Sequence, residues 1–465
     1  MSPAAAGRGR VAGASCLGML AVGANGTAIM AALPTMRRDL GLGPAELEWA
    51  VNAYLLASAA CIILGGKAAD RLGARLVAVA GLVLFALASG LIAAANGPLA
   101  LLAGRTLQGL GAALAVPGTL AALSAAAAPE RRSAAIGAWA GALMLGFSLG
   151  PLIGGALTHA FSWRALFCAN ALALLAAAAI LASAGALRPA PPGRLWRGFD
   201  GLGFLALATG MVALIFALRG LGRASAAPFA FAAPLAVAGA SLALFRRIER
   251  HRADPLVDLR LLAVPDFRRA VGTGVVAMFC ILPLLLYFNL DAQAPHGLGL
   301  SPIGAGLALL PLSAGLFGLS LLGPRLAERF GPRRVVGAAM LGIAAACAGL
   351  AAASAAHALA GLGLGLFVIG AGLALPYATA PRLALAALPA AQGGQGSGLV
   401  NACTFLGGSL GITLGGLAYG AGGFPAVTAL IGAAALVGAG LARHLPAWSR
   451  APVSPAALAG TGRNP

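Results

Sequence analysis

GGKAADRLGARL (residues 65–76) returns in altered form as GPRLAERFGPRR (residues 323–334). Aligning Asp70 with Glu328 also pairs Gly65 with Gly323, Ala69 with Ala327, Arg71 with Arg329, Gly73 with Gly331 and Arg75 with Arg333. Each copy is a short basic segment set between two long apolar runs. The chain is therefore expected to contain two related halves. Repeated halves with a site at their interface are the physical signature of alternating-access transport.

The runs that flank the repeat set the fold class. Of 465 residues, 60% are hydrophobic and only 9% are charged, whereas soluble domains carry about 25% charged residues. So few charges cannot cover a water-soluble fold of this size. Many uncharged stretches of about 20 residues are long enough to span a hydrocarbon core as helices. The 68 glycines, with a plain excess of alanine, suit close helix packing in lipid. They follow no collagen-like period. The expected fold is an all-α polytopic membrane protein.

Fourteen spans are expected, near 11–33, 47–66, 76–95, 98–123, 134–158, 163–185, 200–219, 226–245, 268–290, 302–323, 333–354, 357–380, 397–420 and 424–443. The span near 98–123 and the pair near 357–420 carry Gly and Pro interruptions. Arg8 and Arg10 precede the run from Val11 to Leu33. That run is longer than the apolar region of a signal peptide and reads as the first span.

The net charge of +19 raises a nucleic-acid partner as a reading. It is rejected, because the charges fall between apolar segments and form no single basic face. Membrane topology explains them instead. With the N-terminus in the cytoplasm and loops alternating, 25 of the 31 basic residues fall inside. The exceptions are Arg37, Arg38, Arg164, Arg219 and Arg223 in outer loops and Arg105 within a span. The bias persists to Arg443, Arg450 and Arg463, so both termini are expected in the cytoplasm.

The division expected is an N-terminal six-helix bundle (1–185), a linker with two extra spans (186–267), a C-terminal six-helix bundle (268–445) and a disordered cytoplasmic tail (446–465). The segment from Arg188 to Arg197 holds Pro189, Pro191 and Pro192 and reads as a stiff linker. The longest inside loop, from Arg246 to Asp266, carries Asp254, Pro255 and Asp258. The six cysteines, Cys16, Cys61, Cys168, Cys280, Cys347 and Cys403, all lie in apolar segments without a CxxC pair. They read as small packing residues. The five histidines, His159, His251, His296, His357 and His444, are scattered near segment ends, so no metal centre is expected. No HExxH, GxSxG or GxxxxGK[ST] segment occurs, and no cofactor, catalysis or ATP-driven pumping is expected.

Arg105 carries a sharp signal of its own. From Pro98 to Arg105 a helix rises about 10 Å, so the charge lies well inside a span. Charges at such depth face a bundle interior or a wet cavity and mark functional sites. Snorkelling to the interface is the plainer alternative. Gln108 lies one turn on and shares its face.

With these motifs in view, nearly the whole chain resembles the major facilitator superfamily, in particular its fourteen-span drug:proton antiporter branch. Gly66, Asp70, Arg71, Gly73 and Arg75 match that family's signature between its second and third helices, with Glu328 and Arg329 in the second copy. LLAGRTLQGLGAA (101–113) resembles its fourth-helix motif through Arg105, Gln108, Gly109 and Gly111. GFSLGPLIGGAL (146–157) resembles its antiporter motif through Gly146, Gly150, Pro151, Gly154 and Gly155. GTAIMAALPTMRRDLG, WAVNAYLL and GQGSGLVNACTFLGGSLG resemble its first, second and thirteenth helices. The resemblance implies a secondary transporter exporting small organic molecules from the cell, placed in the bacterial inner or plasma membrane. It would act as a monomer on a small-molecule substrate within the lipid bilayer, with protons as the coupling ion to test.

The motifs also have physical readings. Asp70 and the neighbouring arginines suit a charge-assisted network that closes the inner face, and topology anchoring is the plainer reading. Gly146, Gly150 and Gly154 share one helix face, which suits close packing, while Pro151 adds a kink.

One departure matters. Relatives place a titrating acid in the first span where this sequence has Asn25. Asparagine does not titrate, so proton coupling at this position is lost. No acid lies in mid-span. Asp200 and Asp291 sit at span ends and the other acids fall in loops or tails. Asp291, one turn past Tyr287, is the remaining carrier candidate. Without a carboxylate partner Arg105 favours anionic or neutral substrates, unless Asn25, Gln108 and backbone carbonyls satisfy it. The alternative function is a uniporter or gradient-driven carrier of one metabolite or amphiphile. Further cavity candidates are Asn52, Tyr54, Trp139, Asn289, Tyr377 and Asn401. Trp139 and Tyr377 suit packing equally well. An unpaired amide facing lipid is costly, which favours Asn52 and Asn401 as interior groups.

Overall fold

The structure is a computed structural model that describes residues 3–184, 200–221, 227–252, 255, 257–355, 359–389 and 392–446. The proline-rich linker, Arg223, Asp254, His357 and the tail from 447 onward lie outside the described residues.

The described chain is helical. The helices are α1 (Pro3–Leu40), α2 (Pro44–Leu72), α3 (Ala74–Ala93), α4 (Pro98–Ala126), α5 (Arg132–Ala160), α6 (Trp163–Ser183), α7 (Gly201–Leu221), α8 (Pro228–His251), α9 (Pro265–Ala292), α10 (Pro302–Ala308), α11 (Leu310–Phe330), α12 (Pro332–Ala355), α13 (Leu359–Ala386) and α14 (Gly393–Ala442). Proline opens many of them, because its fixed φ suits a first turn whose N–H has no helical partner. Among the described residues 12 helices are long and apolar enough to cross a membrane, and α10 with α11, bent by 40°, forms up to a 13th span.

The repeat is visible in three dimensions. In its register Pro44 aligns with Pro302 and Leu72 with Phe330, so α2 and the α10–α11 pair begin and end at equivalent residues. Gly73 and Gly331 close these helices at φ 97° and 85°. Each N–H donates to the matching carbonyl, Ala69 and Ala327. A side chain there would be strained, which is why glycine recurs.

Several expectations need correction. The expected spans at 397–420 and 424–443 follow one another in α14 without a loop, on either side of a kink where Gly422 and Gly423 leave helical geometry. The expected span at 302–323 is broken at Leu309. α1 runs to Leu40 and carries Arg37 and Arg38 in its last turn instead of a loop. Hydropathy marks only the apolar core of a helix, whereas backbone hydrogen bonding continues through the polar border. Pro117, Pro376 and Pro381 lie inside continuous α4 and α13. Cys168 is exposed instead of packed. Glu48, at the very edge of the expected span 47–66 and grouped there with the loop acids, is buried on α2.

Helices α1–α6 pack among themselves, chiefly α1 on α5, α3 on α4 and α2 on α4. Helices α9–α14 do likewise, chiefly α14 on α9, α11 on α13 and α12 on α14, while α7 pairs with α8. The two groups meet along α2 with α14 and along α5 with α10 and α11. The second helical unit of each half therefore faces the fifth of the other.

Candidate functional site

The Gly-rich segment of α5 fixes how closely the elements approach. A Cβ on Gly146, Gly150 or Gly154 would overlap the Leu20 carbonyl, the Thr27 hydroxyl or the Ala28 carbonyl of α1. The Thr27 hydroxyl donates to the Phe147 carbonyl at 2.8 Å. Pro151 and Gly155 lie on a different face, where the Pro151 carbonyl approaches Gly306 and Gly155 approaches the Pro302 carbonyl. The motif thus packs α5 on α1 and presents it to α10.

This arrangement has a counterpart that the sequence reading missed. Residues 146–155 read GFSLGPLIGG and residues 407–416 read GGSLGITLGG. In the second copy Gly407 and Gly411 approach the Val275 and Phe279 carbonyls of α9, as Gly415 does the Pro283 side chain. Direct comparison of the two segments carries the signal.

Arg105 lies on α4 and is 0% exposed. Its Nε donates to the Ala50 carbonyl at 2.6 Å. Its Nη1 donates to Asn25 Oδ1 at 3.0 Å and to Gln108 Oε1 at 2.6 Å. The guanidinium sits 4.6 Å from the centroid of the Tyr54 ring, a favourable cation–π geometry. Gln108 Nε2 donates to Ser89 Oγ at 2.8 Å, and Ser89 Oγ lies 3.3 Å from Asn170 Oδ1. Asn170 Nδ2 donates to the Ala21 carbonyl at 2.8 Å. The network ties α1, α2, α3, α4 and α6 around one cation whose hydrogen-bond partners are all neutral. Arg105 Nη2 and Asn25 Nδ2 are buried without a hydrogen-bond partner.

A second polar cluster lies between the halves. Asn52 Nδ2 donates to Thr413 Oγ1 at 3.1 Å, and Ser409 Oγ donates to Asn52 Oδ1 at 2.9 Å. On the other seam the Ser313 hydroxyl donates to the Ser148 carbonyl. Ser148 and Ser409 are equivalent in the Gly-rich repeat.

The remaining candidates are dispersed. Tyr377 lines a small apolar cavity with Met144, Phe147, Ala277, Ile281, Leu316 and Leu373. Trp139 donates to Thr119 Oγ1 at 3.1 Å, which packs α5 on α4. Asn289 and Asn401 donate to their own helices, at the Leu285 and Ser397 carbonyls. Asp291 lies at the end of α9, one turn beyond Tyr287, whose hydroxyl donates to the Ile412 carbonyl at 2.8 Å.

At the end that carries the start of α1 and the close of α14, Asp70, Glu328 and Arg329 are exposed. Among the described residues neither acid has a basic side chain within ion-pair distance. Gly66 and Arg75 are half-buried, and Lys67 donates to the Pro255 carbonyl at 2.8 Å. At the opposite end Gln293 Nε2 donates to the Ala31 carbonyl at 3.0 Å and joins the two halves. Glu48 also lies near this end, with Oε2 3.6 Å from Arg219 Nε of α7. The sequence reading missed it because hydropathy placed the span border beside it. Among the described residues no group of three or more His, Cys, Asp or Glu is placed to hold a metal ion.

Comparison with known proteins gives a consistent result. The family profile described as Major Facilitator Superfamily matches residues 15–412 and 270–462. The tetracenomycin C resistance and export protein of Streptomyces glaucescens is 30% identical over 407 residues, 86% of this chain and 73% of that protein. The cephamycin export protein CmcT of Amycolatopsis lactamdurans is 34% identical over 293 residues, 61% of this chain and 58% of that protein. Among solved structures, a D-xylose–proton symporter aligns with a TM-score of 0.67 at 16% identity, covering 94% of this chain and 98% of that chain. The human organic anion transporter MFSD10 aligns at 0.64 and 17%, covering 94% and 99%. These structural likenesses speak to fold alone.

Proposed function

The chain belongs to the major facilitator superfamily, whose members here are transport proteins and not enzymes, and on that premise we propose that it exports small organic molecules across the cell membrane by alternating access. The observation that carries this reading is the pair of repeat-related seams, α2 with α14 and α5 with α10–α11. Such seams let one half rock against the other around a site between them. Export is supported by relatives named for the export of tetracenomycin C and cephamycin.

The topology follows from the same premise. The 50 residues of α14 would extend about 75 Å as one helix, more than twice a hydrocarbon core of about 30 Å. The break at Gly422 and Gly423 makes it two spans, and the count becomes fourteen. The end bearing the start of α1 and the close of α14 is the cytoplasmic one, since basic residues concentrate there. Arg71 and Arg75 with Asp70 form the inner gate of this reading, and Glu328 with Arg329 its repeat. The outer end is the one joined through Gln293 and Ala31.

Asn25, Gln108 and the Ala50 carbonyl satisfy part of Arg105, but among the described residues its Nη2 has no hydrogen-bond partner and its charge no counter-ion. That residual charge supports anionic or neutral solutes over cationic ones. Asn25 in place of a titrating acid supports a second reading, a uniporter or carrier driven by solute gradients. Inverted membrane vesicles loaded against a panel of anionic, neutral and cationic aromatic compounds test both. Uptake of anionic or neutral compounds that persists with a protonophore selects the second reading, and collapse selects proton-driven export. Preferential uptake of cations removes the assignment of Arg105, and movement of no compound overturns the function.

A further inference from the structure

Glu48 is a buried acid that the motifs above do not use. Its side chain, on a residue 9% exposed, lies where four helices converge. α2 carries it, α7 brings Arg219, α9 brings Tyr287 and α14 brings Gly416. A Cβ on Gly416 would overlap Glu48 Oε1 and lie 2.7 Å from the Tyr287 hydroxyl. Glycine is therefore what lets the acid and the phenol reach the backbone of α14.

The acid is poorly served by hydrogen bonds. Arg219 Nε stands 3.6 Å away, and Arg219 Nη1 donates to the Ala45 carbonyl at 3.1 Å. Tyr287 spends its proton on the Ile412 carbonyl. Glu48 Oε2 is buried without a hydrogen-bond partner. The other charged or titratable groups on the packed elements are Tyr419, stacked on Tyr287 at 5.2 Å, then Asp291 and Arg37 beside Tyr419. On α2 itself the nearest acid in sequence is Glu46.

Packing does not require an acid here. In the repeat register the counterpart of Glu48 is Gly306, which meets the Pro151 carbonyl across the equivalent seam. One seam closes on glycine against backbone; the other closes on a carboxyl group. Closing a seam strips water from the side chain, which costs a carboxylate far more than a neutral carboxyl.

We propose that Glu48 binds and releases a proton as the outer end of the α2–α14 seam closes and opens. The proton comes from the outer solution onto a carboxylate oxygen and returns to it when the seam opens. The seam continues inward through Asn52, Thr413 and Ser409, so the state of Glu48 bears on the contact between the halves. This proposal rests on the alternating-access reading for its consequence, whereas its test uses no transported solute, so the two fail separately.

The test is pH-difference infrared spectroscopy on the purified full-length protein in nanodiscs, together with hydrogen exchange of the outer half of α2 at a series of pH values. Comparing wild type with Glu48→Gln at each pH cancels the intrinsic effect of pH on exchange. The carboxyl band that titrates in the wild type is expected to be missing in Glu48→Gln. Exchange in the two proteins should match in acid and diverge by about tenfold as pH rises, a modest shift for a two-state element. A band that survives in Glu48→Gln, or an exchange ratio flat with pH, leaves Glu48 a structural partner of Arg219 and overturns the proposal. Gly416→Ala, which crowds Oε1, serves if Glu48→Gln does not fold. It is expected to move the midpoint of the band, and an unmoved midpoint also overturns the proposal.

Discussion

Asn25 Oδ1 accepts a hydrogen bond from Arg105 Nη1 at 3.0 Å, joining α1 to α4 beneath the Tyr54 ring. A buried cation meets an amide at the place where the resemblance to drug:proton antiporters implies an acid. Asn25→Asp supplies the missing charge with almost no change in volume. The variant is expected to acquire transport of a cationic dye that a protonophore abolishes. Dye uptake into inverted vesicles, with and without the protonophore, measures this. Dye uptake equal to that of the native protein would mean that the site lacks the rest of the coupling machinery.

Arg105→Lys tests whether shape or charge matters. The guanidinium makes three hydrogen bonds along different directions and lies over a ring. An ammonium group is a compact point charge that cannot reproduce this fork. At least one buried acceptor loses its donor, at a cost of about 1–3 kcal/mol. Thermal unfolding in detergent is expected to show that loss, and vesicle transport should fall by about tenfold or more. Wild-type behaviour in both assays would reduce Arg105 to a topological charge.

Much of this was legible in sequence because it rests on periodic and compositional signals. Spans follow from apolar length, the halves from the loop repeat, and the depth of Arg105 from the helical rise. Its meeting with Asn25 and Gln108 was within reach, because these were the polar groups offered to satisfy it. The network beyond Gln108 was not, since Ser89 and Asn170 reach it from α3 and α6 and nothing local marks which face they present. Glu48 was lost for a related reason. Hydropathy sets a border without regard to neighbouring helices, and it is α7, α9 and α14 that bury this residue. The break in α10–α11 is a tertiary outcome of the same kind.

The two Gly-rich segments predict matched sensitivities. Gly150→Ala places a Cβ on the Thr27 hydroxyl, and Gly411→Ala places one on the Phe279 carbonyl. Overpacking of this sort costs about 1–3 kcal/mol. Gly141, on the same helix as Gly150, has nothing within 4 Å of an added Cβ. Gly141→Ala is expected to be neutral or to stabilise by about 0.5–1 kcal/mol through helix propensity. Thermal unfolding of the three variants side by side checks the ordering, and a Gly150→Ala protein as stable as Gly141→Ala would refute the packing role.

Asn52 offers a direct measure of how strongly the two halves are held together. Its amide donates to Thr413 and its carbonyl accepts from Ser409, while the Thr413 hydroxyl lies 3.0 Å from the Ser409 carbonyl. All three side chains are buried, so each lost partner leaves a polar group without water. Asn52→Ala removes two inter-half bonds, and a cost of about 2–3 kcal/mol is expected. The single variant alone mixes that loss with a small cavity. A double-mutant cycle with Thr413→Ala separates them, because the cavity on α2 is present in both arms. Residues sharing a hydrogen bond couple by about 0.5–3 kcal/mol, whereas distant sites add within about 0.5 kcal/mol. The cycle is expected to fall in the coupled range, while the same cycle run between Asn52 and Ser183, which lies on α6 and bonds Arg10, should be additive. Additivity between Asn52 and Thr413 would mean that their hydrogen bond adds nothing to the seam between α2 and α14, which the Ser409–Asn52 bond and helix packing would then hold.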